Sequence, residues 1–345
     1  MLYYLFPRNR PHPSYSWHQA TANTVIRWFL EFIAHIRPVS RQDVGVDAQN
    51  QSNVVVIPIS SEPIYETPLD DDKSIRPSKI LGTWYPQPPL DTTGKPNTSI
   101  VLHFHGGGYV IGSSKPADYG YMAIKLTEYL APYVLLPEYR LACTSRGRFP
   151  AALQDAVSTY QYLFDLGYRQ DDIILSGDSA GGNLALGLLR YLAEHSHLDL
   201  PAPRRTFLWS PWVDVARSQN TATIGQNPNY HTDYIPATFV EWAANSFAPP
   251  GEVNVNSRYI SFTGRPFRTE STLWIHAGAL ELMYSEIVEF VSLMKNEKNI
   301  VHFHTSPKAY HDIVETGYIN GFKDEIREVL KMAQESLKPS KPGSS

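Results

Sequence analysis

The chain reads as an α/β fold, a parallel sheet with helices on both faces, on three observations. From Ile100 onward apolar strands alternate with helical runs, and that rhythm builds a parallel sheet covered on both sides. A serine stands between two glycines where a strand turns into a helix, in Ser176-Gly177-Asp178-Ser179-Ala180-Gly181-Gly182-Asn183. A glycine run, His105-Gly106-Gly107-Gly108-Tyr109, leaves another strand. Ligands of open α/β sheets bind outside the carboxyl ends of the strands, where both motifs fall.

Met1–Phe6 is apolar for only six residues before Pro7-Arg8-Asn9-Arg10-Pro11, which does not read as a secretory leader. Val25–Ile36 is helical in period, with Arg27, Glu31 and His35 as one narrow polar stripe and Pro38 as its stop. The rest of that surface is apolar, so the helix is expected either to pack into a groove of its own body or to rest on a membrane. It is too short to span a bilayer, which takes about 20 residues. Val54–Ile57 and Ile80–Tyr85 read as early strands around a proline- and acid-rich loop. Further strands are predicted at Ile100–Phe104, Tyr133–Leu136, Ile173–Leu175, Phe207–Trp209, Leu273–Ile275 and Ile300–Phe303. Helices are predicted near 119–130, 150–165, 180–194, 285–295 and 323–336. Pro211–Arg258 is long, aromatic and rich in Asn, and is expected to cover the strand ends. The expected organisation is 1–50 as N-terminal cap helices and 51–345 as the catalytic body, with 211–258 inserted as a cap.

A chain of 345 residues with 42% hydrophobic content can bury a full core. A formal charge of −4 and the lack of a concentrated Lys/Arg run argue against nucleic acid as a partner. Cys143 is the only cysteine, which excludes an internal disulfide and a cysteine-based metal site and fits a reducing compartment. A cytoplasmic location is expected, with peripheral membrane contact through the N-terminal helix as its variant. The tail from Lys338 onward is polar and carries no lipidation motif.

The serine motif has the form of a nucleophile elbow. Gly177 and Gly181 remove side chains that would collide in so tight a turn, and Ser179 heads a helix whose amide dipoles favour negative charge. In the glycine run, the amides of Gly106 and Gly107 are expected to join that of Ala180 around a carbonyl oxygen; a plain glycine turn is the alternative. A serine hydroxyl needs a base. Of twelve histidines, His103 and His302 alternate along strands and His195 and His197 end a helix. His311 differs, lying in Ser306-Pro307-Lys308-Ala309-Tyr310-His311-Asp312 just past a strand. The acid that orients it is expected after the preceding strand, at Glu281, with Glu286 as the fallback. The order Ser179, Glu281, His311 is the serine, acid, histidine order of α/β-hydrolases.

These motifs together resemble the hormone-sensitive-lipase-like family of α/β-hydrolases, with its carboxylesterase and steryl-acetyl-hydrolase-like members, over most of residues 80–335. His-Gly-Gly-Gly-Tyr at 105–109 and Gly-Asp-Ser-Ala-Gly-Gly-Asn at 177–183 carry the likeness. Glu-Tyr-Arg-Leu-Ala at 138–142, Phe-Pro-Ala-Ala-Leu-Gln-Asp-Ala at 149–156 and Ser-Pro-Trp-Val-Asp at 210–214 are similar to the family's interior landmarks. The resemblance implies an α/β-hydrolase fold with a mostly parallel eight-stranded sheet and a helical cap. Three departures stand out. Glu281 occupies a place where the family usually has Asp, Cys143-Thr144 replace its usual Pro-Glu, and Glu281–Glu286 departs from its usual acid motif.

The implied activity is hydrolysis of small carboxylic esters through an acyl-enzyme, with Ser179 as nucleophile, His311 as base and Glu281 as its orienting acid. No metal or organic cofactor is needed. Transfer of the acyl group to an alcohol or amine, or lactone formation or opening, is the alternative. A non-catalytic receptor is the second; the plant gibberellin receptors share the scaffold but lack the catalytic histidine, which stands here as His311. Trp212, Tyr230, Tyr234, Phe239, Trp242 and Phe247 are expected to line an apolar pocket or to pack the cap. Tyr109 and Asp178 are further candidates for substrate contact, and the substrate is expected to be a hydrophobic small-molecule ester.

Overall fold

A computed structural model describes residues 2–39, 52–89 and 98–338. The cap boundary expected at residue 50 and the last seven residues of the tail lie outside them. Eight strands form one sheet: β1 (Val54–Ile57), β2 (Ile80–Tyr85), β3 (Ile100–Phe104), β4 (Tyr133–Pro137), β5 (Ile173–Asp178), β6 (Arg205–Trp209), β7 (Thr272–Gly278) and β8 (Val301–Ser306). Their spatial order is β1-β2-β4-β3-β5-β6-β7-β8. The first two pairings are antiparallel and the rest parallel. The central strands β3 and β5 are buried along their whole length, which is why each opens on an apolar run, Ile100–Leu102 and Ile173–Leu175, rather than on an alternating pattern.

The helices are α1 (Trp17–Ile36), α2 (Pro116–Tyr129), α3 (Ala151–Asp165), α4 (Ser179–Glu194), α5 (Thr221–Gly225), α6 (Ala237–Phe247), α7 (Tyr284–Asn296), α8 (Ile313–Asn320) and α9 (Lys323–Ser336). Helix α9 shows how the pattern works: Ile326, Val329, Leu330 and Ala333 are buried, one stripe of a 3.6-residue period. Two of the landmark motifs explain each other. Arg140 grips Asp155 through Nη2 at 2.7 Å and Nε at 3.0 Å, and its backbone amide donates to Asp155 Oδ2 at 2.8 Å.

Helix α1 departs from expectation twice. It begins at Trp17, eight residues before Val25, because Ser16 and Gln19 form a reciprocal N-terminal cap. Its polar stripe faces water only at the far end, where His35 is exposed and Glu31 half-buried. Arg27 turns into the body and donates to the carbonyls of Tyr230 at 2.9 Å and Asp233 at 3.0 Å. Ala20, Asn23, Leu30 and Ala34 are buried on the same side. Val25, Trp28, Phe29, Phe32 and Ile36 are exposed.

Candidate active site

The step from β5 into α4 holds Ser179 at φ 49°, a left-handed conformation that side chains seldom adopt. A Cβ on Gly177 would lie 2.3 Å from the Gly181 carbonyl oxygen, and one on Gly181 would lie 1.9 Å from that of Phe104. The second glycine is therefore demanded by the neighbouring strand β3. Asp178 stands at the N-cap of α4 but makes no capping bond, so the first-turn amides, Ala180 among them, remain open to a ligand.

Gly106 does not take the expected place. Its amide already donates to Tyr119 Oη at 2.7 Å, and a Cβ there would sit 2.2 Å from Asp178 Oδ2. The following residues, Gly107 and Gly108, have φ of 99° and 63° and line the cavity beside Ser179. Gly107 and Gly108 therefore border the same cavity as Ser179, and Ala180 opens the first turn of α4 beside it. The acceptor that removes Gly106 comes from α2, so the motif alone does not reveal it.

His311 is buried in the loop between β8 and α8, and Glu281 is buried in the loop after β7. Glu281 Oε1 lies 3.8 Å from His311 Nδ1. Its Oε2 accepts from Ser210 Oγ at 2.6 Å and from the Gly278 amide at 2.8 Å. Glu286 is engaged elsewhere, accepting from Ser285 Oγ at 2.8 Å and lying 3.7 Å from Arg217. The structure thus brings Glu281, and not Glu286, to the histidine. Burial opposes a charge on His311, but the carboxylates of Glu281, Asp233 and Asp178 outweigh it and hold the imidazole above its ordinary value. His311 Nε2 is buried without a hydrogen-bond partner, and the ring shares one cavity with Ser179. In unliganded sites such contacts are commonly long and tighten when the reacting group arrives.

Two further residues support this corner: Asp233, which no motif flags, and Ser210, the first residue of the Ser-Pro-Trp-Val-Asp landmark. Fully buried Asp233 accepts from the amides of Leu282 at 2.6 Å, Tyr234 at 2.7 Å and His311 at 3.4 Å. Burial pushes its carboxyl up to about 6. Ser210, at φ 44°, donates to Glu281 and accepts from the Asp312 amide at 3.0 Å. Nearby, Asn229 Nδ2 donates to the carbonyls of Ala279 and Glu281, and Thr232 Oγ1 to that of Leu280. The Asn-rich composition of 227–233 is the only trace of this in the sequence.

Residues 101–315 match the family described as alpha/beta hydrolase fold. The chain belongs to the α/β-hydrolase family. Among curated α/β-hydrolase relatives, an acetyl-hydrolase of Streptomyces hygroscopicus is 35% identical over 116 residues, 34% of this chain and 36% of the relative. The chain thus spans about a third of that relative's length. An ethyl acetate hydrolase of Pseudomonas putida is 25% identical over 256 residues, 73% of this chain and 76% of the relative. The fold is that of a solved esterase from the bacterial hormone-sensitive lipase family, with a TM-score of 0.65 at 19% identity over 94% of this chain and 100% of that one.

In this α/β-hydrolase the cavity beside Ser179 measures about 450 Å³ and is walled by α1, α2, α6, α8 and the loops between. Trp212, Tyr234 and Phe239 line it. Four of the other candidates, Tyr109, Tyr230, Trp242 and Phe247, do not. Tyr109 is buried with its ring stacked on Phe247 at 3.8 Å and its hydroxyl bonded to Asn183 Oδ1, and Trp242 packs edge-on against Phe239. The first contact joins the glycine loop to α6, and the second lies within α6. Asp178 reaches the cavity but is held by His103 Nε2 at 3.0 Å and Tyr119 Oη at 2.8 Å. Asn183 ties α4 to the insertion, donating to the carbonyls of Trp212 and Ile260.

Proposed function

We propose that this α/β-hydrolase is a serine carboxylesterase acting on small or hydrophobic esters. One observation carries the reading: Ser179, His311, Gly107 and Gly108 line a single cavity, and Glu281 is buried 3.8 Å from the imidazole. Ser179 Oγ attacks the ester carbonyl as His311 Nε2 takes its proton, and the amides of Gly107, Gly108 and Ala180 hold the oxyanion. His311 returns the proton to the leaving alcohol, and water opens the acyl-enzyme by the same route. Relatives named for acetyl and ethyl acetate hydrolysis support a short acyl group.

The neutral imidazole is the base in this scheme, and its carboxylate neighbours favour the charged form. For p-nitrophenyl acyl esters, kcat/KM is therefore expected to fall as pH drops through a midpoint above 6.5, the ordinary histidine value. A fluorophosphonate is expected to label Ser179. A rate flat between about pH 5 and 8, or no labelling, would overturn the reading.

Contact with a lipid surface through α1 belongs to the same reading. No described helix is long and apolar enough to cross a membrane. Trp28 is 70% exposed and Phe32 59% exposed, while Ile26, Phe29, Leu30 and Ile33 of the same helix line the cavity. Of the four arginines in residues 2–39, Arg10 and Arg27 are spent on main-chain carbonyls of the protein, while Arg8 and Arg37 are exposed, against Glu31 as the one acidic residue of the segment. Aromatic and basic side chains on one segment suit an anionic interface. The protein is expected to float with vesicles containing anionic phospholipid. Trp28→Glu with Phe32→Glu is expected to lower the bound fraction about tenfold. Protein that stays in solution, or that sediments as a dimer without lipid, would assign this face otherwise.

A further inference from the structure

One wall of the cavity is acidic. Asp118 of α2, Asp178 at the end of β5, and Asp312 and Glu315 at the start of α8 all line it. Asp118 accepts from Ser113 Oγ, and Asp178 from His103 and Tyr119. The other two are less satisfied. Asp312 is only 3% exposed and shares a hydrogen bond with Asp178 inside the group, while its Oδ1 has no other partner, and Glu315 Oε2 is buried and unpartnered. Among the described residues, none of the four pairs with a lysine or arginine; His103, on Asp178, is the only basic side chain in an ion pair with the group.

Carboxyls crowded together out of water cannot all stay ionised. Burial, Asp178 and Asp118 push Glu315 up to about 8. Burial and the neighbours Asp178 and Glu315 hold Asp312 well above the carboxylate range. Near neutral pH the wall therefore retains protons that a cation would replace, leaving paired carboxylates behind. A buried orphan oxygen costs free energy that a donor would recover. Among the described residues, no three His, Cys, Asp or Glu side chains converge as metal ligands do. A protonated nitrogen, which donates one bond at a time, needs no such convergence. The wall also adjoins the chemistry, since Asp178 precedes Ser179 and Asp312 follows His311.

We infer that this wall is a recognition subsite for a protonated amine, so that the substrate is an apolar ester carrying a cationic nitrogen a few bonds from the scissile carbonyl. The inference rests on the esterase reading and narrows it. The rest of the lining, including Ile33, Phe239, Val240 and Met283, takes the apolar part.

The test compares 2-(dimethylamino)ethyl butyrate with 3-methylbutyl butyrate, which differ in one nitrogen for one CH. Wild-type protein is expected to favour the amino ester in kcat/KM by about tenfold or more, the worth of a charged hydrogen bond. Asp312→Asn and Glu315→Gln, each measured on its own, are expected to bring that ratio towards one. Because both esters are read in the same variant, a general loss of activity cancels, and either variant alone serves if the other does not fold. A wild-type ratio near one, or a ratio that neither substitution moves, would overturn the inference while leaving the esterase reading intact. If neither ester nor any p-nitrophenyl ester is cleaved, it is the esterase reading that fails.

Discussion

Ser179→Ala is expected to lower kcat for a p-nitrophenyl acyl ester by about 10³-fold or more while the protein stays folded. The nucleophile is lost, and no other described hydroxyl stands on the strained turn beside Gly107 and Gly108. The fold should not notice. Alanine carries the same Cβ at the same φ of 49°, so the strain of the turn is unchanged. A melting midpoint within about 1 °C of wild type is expected, which for a chain of this size is a change of less than about 1 kcal/mol. Turnover near the wild-type rate in a pure, folded variant would end the mechanism.

Glu281→Gln is expected to cost about 10²- to 10⁴-fold in kcat, and the reason is a tautomer. Two donors, Ser210 Oγ and the Gly278 amide, point at Glu281 Oε2. Glutamine must keep its carbonyl oxygen there, which turns its NH₂ towards His311 Nδ1. Nδ1 then accepts, the proton moves to Nε2, and the nitrogen that should receive the serine proton already carries one. Loss of the carboxylate also removes a charge that raises His311, so the acid limb of the residual activity is expected to move to lower pH. Glu286→Gln, whose carboxylate belongs to Ser285 and Arg217, is expected to stay within about twofold, as surface substitutions do. A near-normal rate for Glu281→Gln would transfer the orienting role to another carboxylate, with Asp233 the nearest choice.

The strands are legible because buried parallel strands are written as short apolar runs, and the elbow because its glycines answer to backbone atoms. The chain order of serine, acid and histidine is legible for the same local reason: each sits just past a strand. What escapes notice depends on groups brought from afar. Gly106 yields to Gly108 because Tyr119 occupies its amide. Asp233 acts through bonds to residues 49 and 78 positions away, and Ser210, though part of a landmark motif, acts on partners 71 and 102 positions away that the motif does not name. Helix α8, Ile313–Asn320, carries β-branched residues and a glycine, and stops at Gly321 with φ 84°; its period is too brief to stand out from the polar loop before it. The stripe on α1 misleads because one arginine, paired with main-chain carbonyls, is as well satisfied inside as out.

That arginine has a consequence for how the molecule is held in working order. Arg27 and Asn23 grasp the main chain at Tyr230, Thr232 and Asp233, and Asp233 in turn clasps the amides of Leu282 and His311. The first helix and the last loop of the reaction centre are therefore links of one chain of hydrogen bonds, although nearly the whole sequence lies between them. A displacement of α1 would act on the main chain at His311, whose amide Asp233 holds. The N-terminal helix is a tension member as much as a cover.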